Sequence, residues 1–173
     1  NNFYDINAKA VILATGGFSA NKELLKKYVP GSEVFQTSNQ LGATGDFIPV
    51  FEKNNIKTAN LEVLNIFPFI IRQTRDLTGG GDGFILVNKE GKRFTSESIT
   101  YATRFSTAQK ILAQPDSAAF YIYDQKLYDA SYRLQKHTAQ GLHVKANTLD
   151  ELAEKLGIDK DNLKETVKEF NMA

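Results

Sequence analysis

GFILVNKEGKRFTSESITYATR, running from Gly83 to Arg104, decides how the rest of the chain is read. It opens on the apolar run Ile85-Leu86-Val87, turns at Asn88-Lys89-Glu90-Gly91 and returns through Lys92-Arg93-Phe94, which reads as a β-hairpin. The returning strand delivers Glu97, Tyr101 and Arg104 to whatever lies beyond it. A charged hairpin tip is ordinary surface structure. Its surroundings set this one apart: the glycine run Gly79-Gly80-Gly81 comes just before it, and the ionisable cluster follows at once.

Composition narrows the classes outward from there. At 173 residues, 42% hydrophobic and 24% charged, the chain can fill one ordinary core or parts of two, and it is neither disordered nor fibrous. A net charge of +1 gives no electrostatic case for nucleic acid. No apolar run approaches the roughly 20 residues that span a bilayer, and no secretory leader is visible, so location stays open between cytoplasm and membrane association. Without cysteine there is no disulfide, thiolate nucleophile or Cys-ligated metal, and two histidines, His137 and His143, are too few to suggest a metal site.

Near the start, Ala8 to Leu13 (AKAVIL) predicts a strand apolar on both faces, as in the middle of a parallel sheet, although nothing before it supplies neighbours. It runs into Ala14-Thr15-Gly16-Gly17, small residues that let backbone amides approach a ligand. Ser19 or Asn21 then caps a helix over Lys22 to Tyr28, which stops before Pro30. After a polar loop, Thr44-Gly45-Asp46 introduces a second helix, with Thr44 as the expected cap and Pro49 in the first turn. Ile56 to Leu61 predicts a short strand, and Leu61 to Ile71 an apolar run leading into a second sheet.

Further on, Thr103 caps a helix over about Arg104 to Ala113, closed by Gln114-Pro115. Ala118 to Tyr123 is expected at the centre of a sheet, and Asp124 caps a helix through Leu134. Lys136 to Asn147 reads as a loop. Thr148-Leu149-Asp150-Glu151 has capping-box spacing, and Asp159 or Asp161 starts a terminal helix with Leu163, Val167 and Phe170 on one face.

Taken together, the apolar strand into ATGGF, the NKELL helix, ATGD at a helix start and LVNKEGKRFTSES resemble the flavoprotein subunits of fumarate reductases and succinate dehydrogenases. The resemblance is strongest to the soluble flavocytochrome-type branch, which includes urocanate reductases and 3-ketosteroid dehydrogenases. It continues through FYIYDQKLYD and TLDELAEKLGIDKDNLKETVKEFN, and so covers nearly the whole chain. LVNKEGKRF is its most specific piece. The resemblance implies an α+β capping domain attached to a remnant of a Rossmann-like FAD domain, with residues 1–60 as the remnant and 61–173 as the cap. The GxGxxG turn that would hold the FAD pyrophosphate is absent from this sequence, so the chain is expected to be a piece of a longer flavoenzyme that does not retain FAD and is inactive alone.

For the parent enzyme the resemblance implies FAD and hydride transfer at a C=C or CH-CH bond beside a carbonyl or carboxylate. The implied partners are a small unsaturated substrate, the remainder of the FAD domain and an electron-donor protein or domain. Ala14, Thr15, Gly16, Gly17, Thr44, Gly45 and Asp46 would line the flavin, and no metal is implied. Arg104 best matches the arginine that supplies the proton in the fumarate reductase branch. A guanidinium gives up a proton reluctantly, so the role calls for a neighbouring acid, for which Glu97 is nearest in sequence.

Departures from the fumarate pattern matter as much. Where that branch has Gln-Ala-His-Pro, with a histidine that helps bind a substrate carboxylate, this chain has Asn65-Ile66-Phe67-Pro68. Where it has Thr-Glu and an arginine before the hairpin, this chain offers Asp76, Leu77 and Gly80. Arg104 also lies seven residues after Glu97, against about four in the pattern. Fumarate is therefore disfavoured as the substrate. A second reading is the 3-ketosteroid dehydrogenase type, whose RF-x-NES-x-x-Y stretch resembles Phe94 to Tyr101 and would give proton removal to Tyr101. A third, of another class, is a non-catalytic binding module.

Overall fold

The architecture was taken from a computed structural model, which describes residues 3–79 and 83–172. Gly80 and Gly81 of the glycine run, together with Asp82, lie outside the described residues. The chain divides into two compact units, Asn1–Leu64 and Asn65–Ala173.

The second unit is built on the stretch that opened the sequence reading. Strand β1 (Phe84–Val87) pairs antiparallel with β2 (Phe120–Tyr123), with Phe84 opposite Tyr123 and Val87 opposite Phe120. Side chains alternate across a strand, so the two apolar runs divide into two faces. Phe84, Leu86, Tyr121 and Tyr123 join a cluster with Phe69, Leu127 and Leu134, in which the Phe84 and Tyr121 rings stack at 4.2 Å. Ile85, Val87, Phe120 and Ile122 join the opposite cluster with Ala153, Ile158 and Leu163. Both faces of this small sheet are covered, which is why FILV is apolar at every position. Fully burying a side chain such as Leu86, Leu134 or Leu163 is worth roughly 1.5–3 kcal/mol each.

The covering helices are α4 (Gln125–Ala130) and α5 (Tyr132–Ala139) on the first face, and α6 (Leu149–Leu156) and α7 (Lys160–Met172) on the second. Helix α3 (Arg104–Leu112) and a 3-10 turn over Pro115–Ser117 link β1 to β2. Asp124 caps α4 by accepting from the Leu127 amide, as expected, but the predicted continuous helix to Leu134 breaks at Ser131. The Ser131 hydroxyl instead accepts from Leu134 N and starts α5, which runs on to Ala139 into the expected loop. Thr148 accepts from Glu151 N, and the Glu151 carboxylate reaches back to Asn147 N rather than to Thr148 N. Asp159, of the two candidates, accepts from Asn162 N at the start of α7.

Between β1 and α7 sits the hairpin turn. Asn88 is buried, and its side-chain oxygen accepts from Glu90 N and Lys92 N, both at 3.1 Å. Helix α7 grips the turn from outside, with Asn162 donating to Glu90 O at 2.9 Å and Thr166 to Gly91 O at 2.7 Å. The returning strand of the hairpin is only one bridge long, Val87 with Arg93. Because the described sheet has two strands, β2 is not central, contrary to expectation. The apolar run Leu61 to Ile71 reaches no strand and contributes one bridge, Ile70 with Leu77.

In the first unit, α1 (Lys22–Tyr28) and α2 (Ile48–Lys53) stand where predicted. Asn21 is the α1 cap, accepting from Glu23 N and Leu24 N at 3.1 Å. The residue capping α2 is Phe47, with no side-chain bond, so the expected Thr44 cap is corrected. Neither predicted strand forms: Ala8 to Leu13 and Ile56 to Leu61 carry no ladder, and Val11, Ile12 and Ile56 are exposed. A strand exists only through its hydrogen-bond partners, and none pairs with these residues among those described.

Candidate functional site

Tyr101 and Arg104 are brought together at the start of α3. Tyr101 lies in the turn just before α3, three residues ahead of Arg104, and the Arg104 guanidinium lies 4.0 Å from the centre of its ring. On another side it meets Phe67 at 5.3 Å, and its Nη1 donates to Asn65 Oδ1 at 3.3 Å. Its Nε is buried and has no hydrogen-bond partner among the described residues. A buried guanidinium nitrogen without an acceptor is costly, and a ligand oxygen would satisfy it. Tyr101 is 81% exposed, so the arrangement faces solvent at its tyrosine side.

Glu97 goes elsewhere. Its carboxylate takes two hydrogen bonds from Arg93, at 3.0 Å to Nε and 2.6 Å to Nη2, and a third from Leu86 N at 3.0 Å. Burial pushes its carboxyl up, but the Arg93 guanidinium and the Leu86 N–H outweigh this and hold it below the usual glutamate value. Its partners are thus Arg93 and β1, while Arg104 contacts Asn65, Phe67 and Tyr101. In the sequence, positions 65 to 68 stand out as departures from the fumarate pattern, and the approach of Asn65 to Arg104 across 39 residues leaves no local signal.

Both segments expected to line the flavin lie in the first unit. Ala20 N donates to Ala43 O at 2.9 Å, and Asn21 Nδ2 to Thr44 O at 2.9 Å, which ties the start of α1 to the stretch before α2. Ala14, Thr15, Gly16 and Gly17 are exposed, with nothing within 4 Å of a Cβ built on either glycine. Such open backbone fits a cofactor that needs close main-chain approach. Gly45 has a different cause: at φ +70° its Cβ would stand 2.6 Å from Phe18 Cβ, so packing requires glycine there. Thr44 donates to the Asp46 carboxylate at 2.7 Å.

A second polar cluster was not legible in the sequence. His137 is buried on α5, with Nδ1 at 3.1 Å from the Thr78 hydroxyl. His143 lies 2.7 Å from the Tyr123 hydroxyl and meets the His137 ring edge-on at 5.6 Å. Burial pushes both imidazoles below the usual histidine pKa, and His137 pushes His143 further. The unfolded chain therefore binds protons first as pH falls. Stability from this pair is complete above about pH 6.5 and is lost as pH drops from there toward the folded values. Thermal melts at pH 7.5 and 5.5 are expected to show the loss, and His137→Gln should flatten the dependence. An unchanged slope in that variant would place the effect elsewhere.

Among the described residues no three His, Cys, Asp or Glu side chains gather to hold a metal, and no helix is long and apolar enough to cross a membrane.

The model of the FAD binding domain family matches residues 2–173. The chain belongs to that family. It is 36% identical over 177 residues to a fumarate reductase (cytochrome) of Shewanella frigidimarina, covering 98% of this chain and 30% of that protein. Against an NADH:fumarate oxidoreductase of Klebsiella pneumoniae the figures are 34% over 172 residues, 98% and 18%. Against a urocanate reductase of Eggerthella lenta they are 32% over 181 residues, 97% and 29%. The open conformation of a flavocytochrome c3 fumarate reductase superposes with a TM-score of 0.77 at 30% identity, covering 94% of this chain and 29% of that one. The chain thus has a fumarate reductase flavoprotein-like fold of mixed helix and strand, spans less than a third of these relatives' length, and FAD is the family's cofactor.

Proposed function

We propose that the chain is part of an FAD-dependent oxidoreductase acting on a C=C or CH-CH bond next to a carbonyl or carboxylate. Residues 61–173 form the domain that covers the substrate, and residues 1–60 belong to the Rossmann-like FAD-binding part. The observation that carries this reading is Arg104, set against the Phe67 and Tyr101 rings with its Nε buried and unpartnered among the described residues. Phe67 packs against the guanidinium, Asn65 orients it, and Arg104 moves the proton at the substrate carbon adjacent to the one that exchanges hydride, trading that proton with solvent on the exposed Tyr101 side. Ala14 to Gly17 and Thr44 to Asp46 would hold the flavin, whose ring supplies or takes the hydride when bound. Phe67, in place of a carboxylate-binding histidine, favours a substrate less polar than a dicarboxylate, delivered with electrons from a donor protein or domain.

The test is reoxidation of the reduced, full-length flavoprotein by fumarate, by an unsaturated monocarboxylate and by a cyclic enone. Turnover with one of the latter two above fumarate is expected, and absence of turnover with every unsaturated acid and enone overturns the reading. The 173-residue chain itself is expected to purify colourless, because its sequence has no GxGxxG turn to bind the pyrophosphate. Flavin absorbance retained in stoichiometric amount would contradict that.

A further inference from the structure

Glu97 lies in the stretch 94–103, an irregular segment between a one-residue bridge at Arg93 and the first turn of α3. Its side chain is 11% exposed, yet it carries a charge and takes hydrogen bonds from Arg93 Nε, Arg93 Nη2 and Leu86 N. Leu86 lies opposite Tyr121 in the β1–β2 ladder, but its N–H is bonded to Glu97 Oε1. The carboxylate therefore replaces the strand carbonyl that the short hairpin fails to provide. Arg93 completes the lock, and its guanidinium rests 5.0 Å from the Phe170 ring of α7.

We propose that Glu97 is a positioning residue: clamped by Arg93 and Leu86 N–H, it fixes the register in which Tyr101 and Arg104, four and seven residues later, present their side chains. This rests on the function proposed above, and it replaces the proton-relay role that sequence proximity suggests. Phe94 and Ile99 anchor the same segment through apolar packing, which is tolerant of sliding. The three directed hydrogen bonds at Glu97 are not tolerant, because each loses its strength within a fraction of an ångström or a few tens of degrees.

The two roles separate at Glu97→Gln, which can still accept from Leu86 N–H but cannot carry a proton between groups. For a positioning residue, kcat of the FAD-loaded full-length enzyme falls less than about tenfold in Glu97→Gln, while Glu97→Ala and Arg93→Ala each lose on the order of 10², with the pH profile of kcat unmoved. A loss in Glu97→Gln equal to that in Glu97→Ala, with a displaced pH profile and a mild Arg93→Ala, overturns the proposal. Hydrogen exchange on the 173-residue chain gives a reading free of catalysis. Leu86 and residues 95 to 103 should exchange faster in Glu97→Ala and Arg93→Ala but not in Glu97→Gln. Unaltered Leu86 protection in Glu97→Ala overturns the clamp even in a folded variant. If the unsubstituted enzyme reduces no unsaturated compound, the functional reading falls and the catalytic half of this proposal with it, while the exchange result still decides the clamp.

Discussion

Arg104→Lys in the full-length flavoenzyme is expected to lower kcat by a factor on the order of 10² or more, the usual scale for a lost general acid, with little change in KM. The reason lies in what lysine cannot reproduce. The guanidinium is planar, stacks against Tyr101 at 4.0 Å and packs near Phe67 at 5.3 Å, and reaches Asn65 with one nitrogen while leaving Nε free. An ammonium is a compact, strongly hydrated point charge that neither lies flat on a ring nor divides its donors between two directions. Tyr101→Phe keeps the ring that supports the stack and removes only an exposed hydroxyl, so its cost should stay below about tenfold. The reverse pattern, with a tolerant Arg104 and a collapse at Tyr101→Phe, would give proton removal to the tyrosine and move the enzyme to the 3-ketosteroid dehydrogenase type. Indifference at both positions would take the chemistry away from the start of α3 altogether.

Much of this site was legible locally and little of it non-locally. Spacing narrowed the α1 cap to Ser19 or Asn21 and placed the α4 cap at Asp124 and the turn at Asn88 to Gly91, because each depends on hydrogen bonds within about four residues. Proximity in sequence also offered Glu97 as the acid beside Arg104, a pairing that sequence distance alone does not decide. Two groups in an irregular segment meet only if the backbone between them allows it, and Glu97 instead turned to Arg93 and β1. Arg93 and Glu97 are four apart, a spacing that signals an ion pair on a helix but carries no such meaning at the end of a strand.

The same asymmetry explains the strands. A run apolar at every position indicates a strand covered on both faces; FILV satisfies that pattern throughout, and AKAVIL does so from Ala10 to Leu13, after Lys9. FILV found β2 and two layers of helices. AKAVIL found no ladder partner among the described residues and is exposed. Pattern records what a strand would need, and only the fold decides whether it is supplied.

Gly91→Ala should be the most destabilising glycine-to-alanine change among the described glycines of the second unit. Gly91 holds φ +76° at the end of the hairpin turn, a conformation that costs an L-residue roughly 1–2 kcal/mol. The added Cβ would also stand 2.7 Å from Asp159 O and 2.8 Å from Leu163 N, both backbone atoms at the start of α7. Backbone cannot rotate aside as a side chain can, so α7 must withdraw, loosening Thr166 on Gly91 O and Asn162 on Glu90 O. Overpacking of this kind adds typically about 1–3 kcal/mol, for a total near 3 kcal/mol. At about 2–4 °C per kcal/mol for a chain of this size, the melting temperature should fall by roughly 10 °C. Gly157→Ala is the control: Gly157 has φ +64° as the left-handed cap of α6, but nothing lies within 4 Å of its Cβ position, so only the conformational cost remains. A thermal melt in which the two variants lose equal stability would show that α7 does not press on the turn. A larger loss at Gly91, accompanied by faster amide exchange at Asn162 and Leu163, is the result expected if the hairpin that carries Glu97 is held in place from that side.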